Sequence, residues 1–206
     1  MSLAILPAEP DLTDALPAQP SPERLKALAL RRSSSAQALT QPGPTPEEQA
    51  AILRVGARVP DHGKLTPWRF IVIPPAAKTA LVEQLKTIAA GRPDAETAKA
   101  KLAKLAAPPF TVVVVSQPAR DHKIPAWEQE LSAGAVCMNL LHAADALGYG
   151  GSWITDWYAY DADAVKLLGL EDGERVAGFV HVGTQAAAPL ERARPDLGDV
   201  VSYWAG

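Results

Sequence analysis

The sequence has a single cysteine, Cys137, in 206 residues. One thiol forms neither an internal disulfide nor a multi-cysteine zinc site, and Cys137 sits in an apolar helical stretch where a free thiol behaves as a small hydrophobe. A reducing compartment is expected. A basic field is missing too: 20 Lys and Arg stand against 23 Asp and Glu, a formal charge of -3, so nothing holds a phosphodiester polymer and no nucleic-acid partner is expected. No apolar run approaches the roughly 18 residues of a membrane span; the longest strand-like one is Val112 to Val115. The first residues carry Asp11, Asp14 and several prolines rather than the basic start and apolar block of a secretory signal. These absences read as a cytoplasmic protein without membrane contact.

Chemical motifs are sparse as well. The four histidines, His62, His122, His142 and His181, are never paired at i, i+4 or set beside the cysteine, so a local metal motif is missing and a metalloenzyme is disfavoured. There is no G-x-S-x-G elbow, no Walker loop and no G-x-G-x-x-G fingerprint. Gly148-Tyr149-Gly150-Gly151 follows a helical pattern and precedes a strand pattern, the reverse of the order that dinucleotide binding requires.

What remains, with 48% hydrophobic and 21% charged residues, is the composition of one compact domain. Residues 1–20, rich in Pro and Ala without a sustained period, read as a flexible arm, and residues 21–206 as a single domain. Helices are expected after Ser21-Pro22-Glu23, with Leu25, Leu28 and Ala29 at helical spacing, and after the capping box Thr45-Pro46-Glu47-Glu48. Further helices are expected over Ala76 to Ala90, Asp94 to Ala107, Trp127 to Leu147 and Asp161 to Leu168. Strands are expected over Trp68 to Ile73, Phe110 to Ser116, Ser152 to Asp156 and Val176 to Gly183. The four valines of the second strand imply burial on both faces. The Trp127 to Leu147 segment is apolar most of the way round, as befits a helix in a core or a subunit interface. Without regular βαβ alternation the class is α+β, a sheet covered by helices.

Polar residues concentrate at the junctions between these elements. Arg31-Arg32-Ser33-Ser34-Ser35 sets two guanidiniums beside three hydroxyls, suited to a phosphate, although a solvated helix end would look the same. Arg58 and His62 flank Pro60-Asp61, either as ligand contacts or as a surface turn with an Asp-Arg pair. Trp153-Ile154-Thr155 follows a diglycine that would let backbone approach a flat ligand, and a strand Trp is equally suited to a core.

Taken in order, Arg31-Arg32-Ser33, Arg58-Val59-Pro60-Asp61-His62, Thr66-Pro67-Trp68-Arg69-Phe70, Trp127-Glu128-Gln129-Glu130, Gly150-Gly151-Ser152-Trp153, and Gly178-Phe179 leading to Gly183-Thr184 resemble the nitroreductase family, in its minimal bacterial branch. The resemblance runs from about Leu25 to Thr184. It implies a nitroreductase-like α+β sheet flanked by helices, with a long buried central helix and FMN at a homodimer interface. The implied FMN contacts are Arg31, Arg32, Ser33, Ser35, Arg58, His62, Lys64, Trp153, Ile154 and Thr155, with Arg58 and His62 approaching from the other subunit. Ala143, Ala144, Asp145, Ala146, Leu147 and Gly148 match the stretch assigned to the pyridine nucleotide. The implied activity is NADH or NADPH oxidation through FMN, alternating with reduction of a nitroaromatic, quinone or similar flat acceptor. A flavin- or small-ligand-binding protein without efficient turnover is the alternative. No catalytic acid, base or nucleophile is implied, because the flavin carries the chemistry. Larger members place Asn and Gln where this chain has Lys64 and Thr66, and many have Arg at Ser35. A basic residue near the C-terminus, Arg192 or Arg194, would add a phosphate contact, and the Pro-rich arm has no counterpart in the family.

Overall fold

The computed structural model describes residues 5–206; the first four residues of the expected arm lie outside the described residues. The valine run sets the centre of the sheet. In β3 (Phe110–Ser116) every residue is buried, because side chains alternate between two covered faces. Val112 and Val114 join a core with Ile52, Val136 and Leu140. Val113 and Val115 join a second core with Leu85, Leu105, Tyr158 and Phe179.

On one side of β3 lies β2 (Trp68–Ile73) and on the other β5 (Arg175–Gln185), both antiparallel. The far edge of β5 is shared. Here β4 (Gly150–Ile154) pairs with Phe179 to Gly183, and β1 (Leu39–Thr40) pairs with Thr184 and Gln185. The first core is covered by α2 (Pro46–Gly56) and α6 (Ala126–Ala146). The second is covered by α3 (Pro75–Ala90), α4 (Ala95–Lys101), α5 (Ala103–Ala106) and α7 (Ala162–Leu167). An antiparallel sheet with helices on both faces is the α+β class expected.

Local signals account for the helix starts. Thr45 and Glu48 form the capping box in full, each satisfying an amide of the other. Ser21 caps α1 (Pro22–Leu30), and Asp161 caps α7 by accepting from Asp163 and Ala164.

Several expectations need correction. The 94–107 segment is two helices, because the ladder tightens to i→i+3 bonding at Leu102 and turns Ala98, Leu102 and Leu105 onto the core. The strand expected over Ser152 to Asp156 begins earlier and ends at Ile154, since Gly150 and Gly151 pair with β5. The two-residue β1 was missed, too short to show a period. Leu25 and Leu28 keep their helical spacing, yet α1 buries nothing: they are 69% and 49% exposed.

Residues 5–20 carry neither helix nor strand. Arg54 of α2 reaches them, donating to the Pro7 carbonyl at 2.8 Å and pairing with Glu9 at 3.2 Å.

Candidate functional site

The site residues are arranged around α6. Its buried side carries Ala133, Val136, Cys137 and Leu140, and burial pushes the Cys137 thiol up to about 12, so this cysteine is packing and not a nucleophile. A stripe on its other side is uncovered: Trp127 is 67% and Leu131 53% exposed, with Ala135, Met138 and His142 half-buried along the same line. The expectation of a long buried helix therefore holds for one face of α6 within a single chain. Two polar corners flank the stripe.

The first corner joins α1 to β1. The Ser34 amide donates to the Gly151 carbonyl at 2.9 Å, and Gln185 donates to the Ser34 hydroxyl at 2.8 Å, which fixes the segment to β4 and β5. Arg31 and Arg32 then line a small cleft with Leu141, Asp145, Tyr149 and Gly151. Arg31 donates to the Ser33 hydroxyl at 3.3 Å. Arg32 donates through Nε to the Leu190 carbonyl at 2.9 Å and lies 3.5 Å from the Glu191 carboxylate, while Arg194 donates to the Arg31 carbonyl at 3.4 Å. The C-terminal segment thus returns to the arginines, and Arg194 is the basic residue it brings there. Burial, followed by the charge of Arg31, holds His142 below the usual imidazole range. Tyr149 donates to Glu48 at 2.8 Å. The Thr45 amide first, and this hydroxyl second, hold the Glu48 carboxyl low.

Trp153 extends the first corner along β4. Its indole is 39% exposed, donates to the Ala177 carbonyl at 3.1 Å, and lies so close over Gly178 that a Cβ there would stand 2.0 Å from Nε1. Thr155 is exposed and accepts from Tyr160 at 2.8 Å. Ile154 does not join them: strand alternation turns its side chain to the opposite core. The diglycine also differs from expectation. A Cβ on Gly150 would meet Gln185 at 2.4 Å and Ser34 at 2.7 Å, and one on Gly151 would meet Leu141 at 2.7 Å, so both serve close packing within the chain.

The second corner follows α2. Asn139 donates to the Arg58 carbonyl at 2.7 Å and the Val55 carbonyl at 3.3 Å; Ser132 donates to the Pro60 carbonyl at 2.8 Å. His62 Nδ1 meets the Glu128 carboxylate at 2.7 Å. Asp61 forms no pair with Arg58. Its oxygens accept from the Leu65 and Thr66 amides at 3.1 and 2.8 Å, holding a turn in which Lys64 and Thr66 take positive φ of 56° and 47°. Such values are uncommon in side-chain-bearing residues, and for β-branched Thr66 they mark strain of about 1–3 kcal/mol.

Helix geometry relates the corners. At about 100° per residue, Gly134 and Leu141, which face Trp153 and Gly151, point roughly 160° away from Ser132 and Asn139, which hold the second corner. The exposed stripe runs between them. Along the axis, Glu128 and Asp145 are separated by roughly 25 Å. Ser33 and Ser35 are exposed beside the first corner. Of the stretch matched to the pyridine nucleotide, Ala143 and Ala144 are buried in the core, while Asp145, Ala146 and Gly148 are exposed and Leu147 is half-buried. Tyr149, Asn139 and Glu128, which brace the two corners, were not among the ligand contacts expected from the sequence. Their signal is tertiary, since each is defined by a partner many residues away.

An antiparallel sheet bearing a helix with an open stripe between an Arg-Ser corner and an Arg-His corner defines a protein of the nitroreductase fold. A nitroreductase-like protein from Bacillus cereus superposes with a TM-score of 0.78 at 20% identity, covering 93% of this chain and all of that one. A nitroreductase from Bacteroides fragilis, crystallised with FMN, gives 0.69 at 21% identity, covering 89% of this chain and all of that one. The Nitroreductase family profile matches residues 28–184, and the chain belongs to that family. It is 37% identical over 186 residues to Escherichia coli (strain K12) YdjA, a protein named for an inferred NAD(P)H nitroreductase activity, covering 88% of this chain and all of YdjA. A Haemophilus influenzae relative with a similarly inferred activity is 32% identical over 184 residues, covering 88% of this chain and 99% of that protein.

Proposed function

We propose that the chain is an FMN-dependent NAD(P)H oxidoreductase that works as a homodimer, with residues 21–206 as one catalytic domain. One observation carries this reading: the two polar corners lie on opposite sides of an uncovered apolar stripe. A two-fold axis through the α6 stripe sets the first corner of one subunit beside the second corner of its mate, because such an interface repeats one self-complementary surface. Two equivalent sites then form, each built from both chains.

The donor set suits FMN. Arg31 and Arg32, with Ser33 and Ser35 beside them, offer charge-assisted donors to a phosphate. Trp153 offers an exposed flat face along the same edge, with Thr155 beyond it. Arg58, His62 and Lys64 approach from the mate, and Ile154 contributes backbone only. When bound, FMN supplies the redox chemistry, taking hydride from NADH or NADPH and passing electrons to a nitroaromatic, quinone or similar flat acceptor in alternate half-reactions. The chain's own task is to bind and orient. Cationic donors at the first corner hold negative charge, the strained 61–66 turn aims His62 and Lys64 outward, and the paired α6 stripes exclude water. Asp145, Ala146 and Gly148 are the members of the helix-end stretch open to a nucleotide.

An absorption spectrum of purified protein, followed by NADH and NADPH oxidation with a nitroaromatic acceptor, tests the proposal. A yellow dimer that either nucleotide bleaches is expected. Colourless protein that FMN cannot reconstitute overturns it, and bound FMN that neither nucleotide reduces points to a binding protein.

A further inference from the structure

On the sheet face away from α6, α3 carries a buried lysine, Lys78. Lys78 is 5% exposed. Its Nζ donates to the Pro108 carbonyl and, at 2.9 Å, to the Thr111 hydroxyl, and among the described residues no carboxylate lies within ion-pairing distance. Once deprotonated, the amine has two N–H bonds and one lone pair, and these two acceptors then match its donors and leave the lone pair free. Thr111 in turn meets His181 Nδ1 at 3.0 Å. That imidazole is fully buried and held down at about 3, so it stays neutral. Burial likewise lowers Lys78 to about 8.

The same lysine borders a cleft of about 350 Å³ whose wall includes Gln41, Thr79, Val82, Glu83 and Lys86. Glu83 is turned to Lys86, its partner at 2.8 Å. An electrophile reaching Nζ must be small, to pass to an amine this enclosed, and uncharged, to avoid desolvation. We propose that Lys78 is a carbon dioxide site, forming a carbamate at the floor of the Lys78–Lys86 cleft. The Nζ lone pair bonds to the carbon, one C=O π pair moves onto oxygen, and one N–H proton leaves to solvent. No electron is gained or lost. The remaining N–H keeps the Pro108 carbonyl, and Thr111 turns its hydroxyl proton to a carbamate oxygen.

Alkyl trapping of holoenzyme under carbon dioxide at mildly alkaline pH, with triethyloxonium and peptide mass mapping, tests the site. A trapped carboxyl adduct on the Lys78 peptide is expected, strongly reduced when carbon dioxide is purged. A carbamate resonance with ¹³C-labelled bicarbonate should vanish in Lys78→Met. Mapping that finds adducts on the exposed lysines and none on Lys78 overturns the proposal. So does a resonance unchanged by Lys78→Met. The mapping needs only the wild-type protein, so a poorly folding variant does not decide the result.

Discussion

Leu190 and Glu191 engage the Nε edge of Arg32 and hold its side chain in place. In the proposed site the rest of the guanidinium serves the FMN phosphate without a large search over rotamers. With charge-assisted bonds worth about 1.5–3 kcal/mol, Arg32→Ala should weaken FMN binding by roughly 10- to 150-fold in a fluorescence titration, while turnover of the FMN-saturated enzyme changes far less. An unchanged dissociation constant removes the phosphate role. Gly178 gives a second test at this scale. Gly178→Ala puts a methyl where the Trp153 indole lies, so the ring must leave the Ala177 carbonyl, and a red-shifted tryptophan emission together with lower FMN affinity is expected. Individual residues were partly legible in the sequence. Arg31 and Arg32 stood out by clustering, but the return of residues 190–194 to them was not legible, because those residues lie more than 150 positions away and carry no period of their own.

Among the elements, β2 is tied to the start of β5 by an ion pair with good geometry. Arg69 donates through Nε and Nη2 to the two oxygens of Glu174, each at 2.7 Å, and the Glu174 side chain is 8% exposed. The Arg69 bond first of all holds the Glu174 carboxyl below its usual 4.5. A carboxyl lowered by folding stabilises the native state above its unfolded value, and that contribution fades as pH falls through the lower folded value. Urea midpoints should therefore drop between neutral pH and about pH 3, and Glu174→Gln should be less stable than wild type at neutral pH with a flatter acid dependence. Equal slopes for the two proteins exclude this pair as an acid-sensitive element. Element types were legible wherever a local cause acts, as in the Thr45 capping box and the valine run of β3. Boundaries failed where pairing decides them: β4 begins at Gly150 because β5 is there to receive it.

For the whole molecule, the uncovered stripe of α6 is the largest consequence of the fold. Trp127 and Leu131 are exposed on a helix otherwise packed into the core, and the proposed homodimer covers them with the same stripe of a second copy. Leu131→Glu places a charge at that surface in both subunits, and so should yield a folded monomer by sedimentation and circular dichroism that has lost FMN. A mutant that remains a dimer with flavin bound counts against assembly through α6. The composition of this helix, apolar most of the way round, already suggested a core or an interface. Which side of it stays open depends on α2 and β4 occupying the other two, a fact of tertiary arrangement.

The divided edge of β5 has one more consequence. Trp153 and the segment that follows Arg32 are laid on neighbouring stretches of the same strand, like two teeth cut on one rack. The gauge between them is set by ladder spacing rather than by loop conformation. Insertions in the connecting loops can then vary the mouth of the cradle, while its width keeps the stiffness of the sheet.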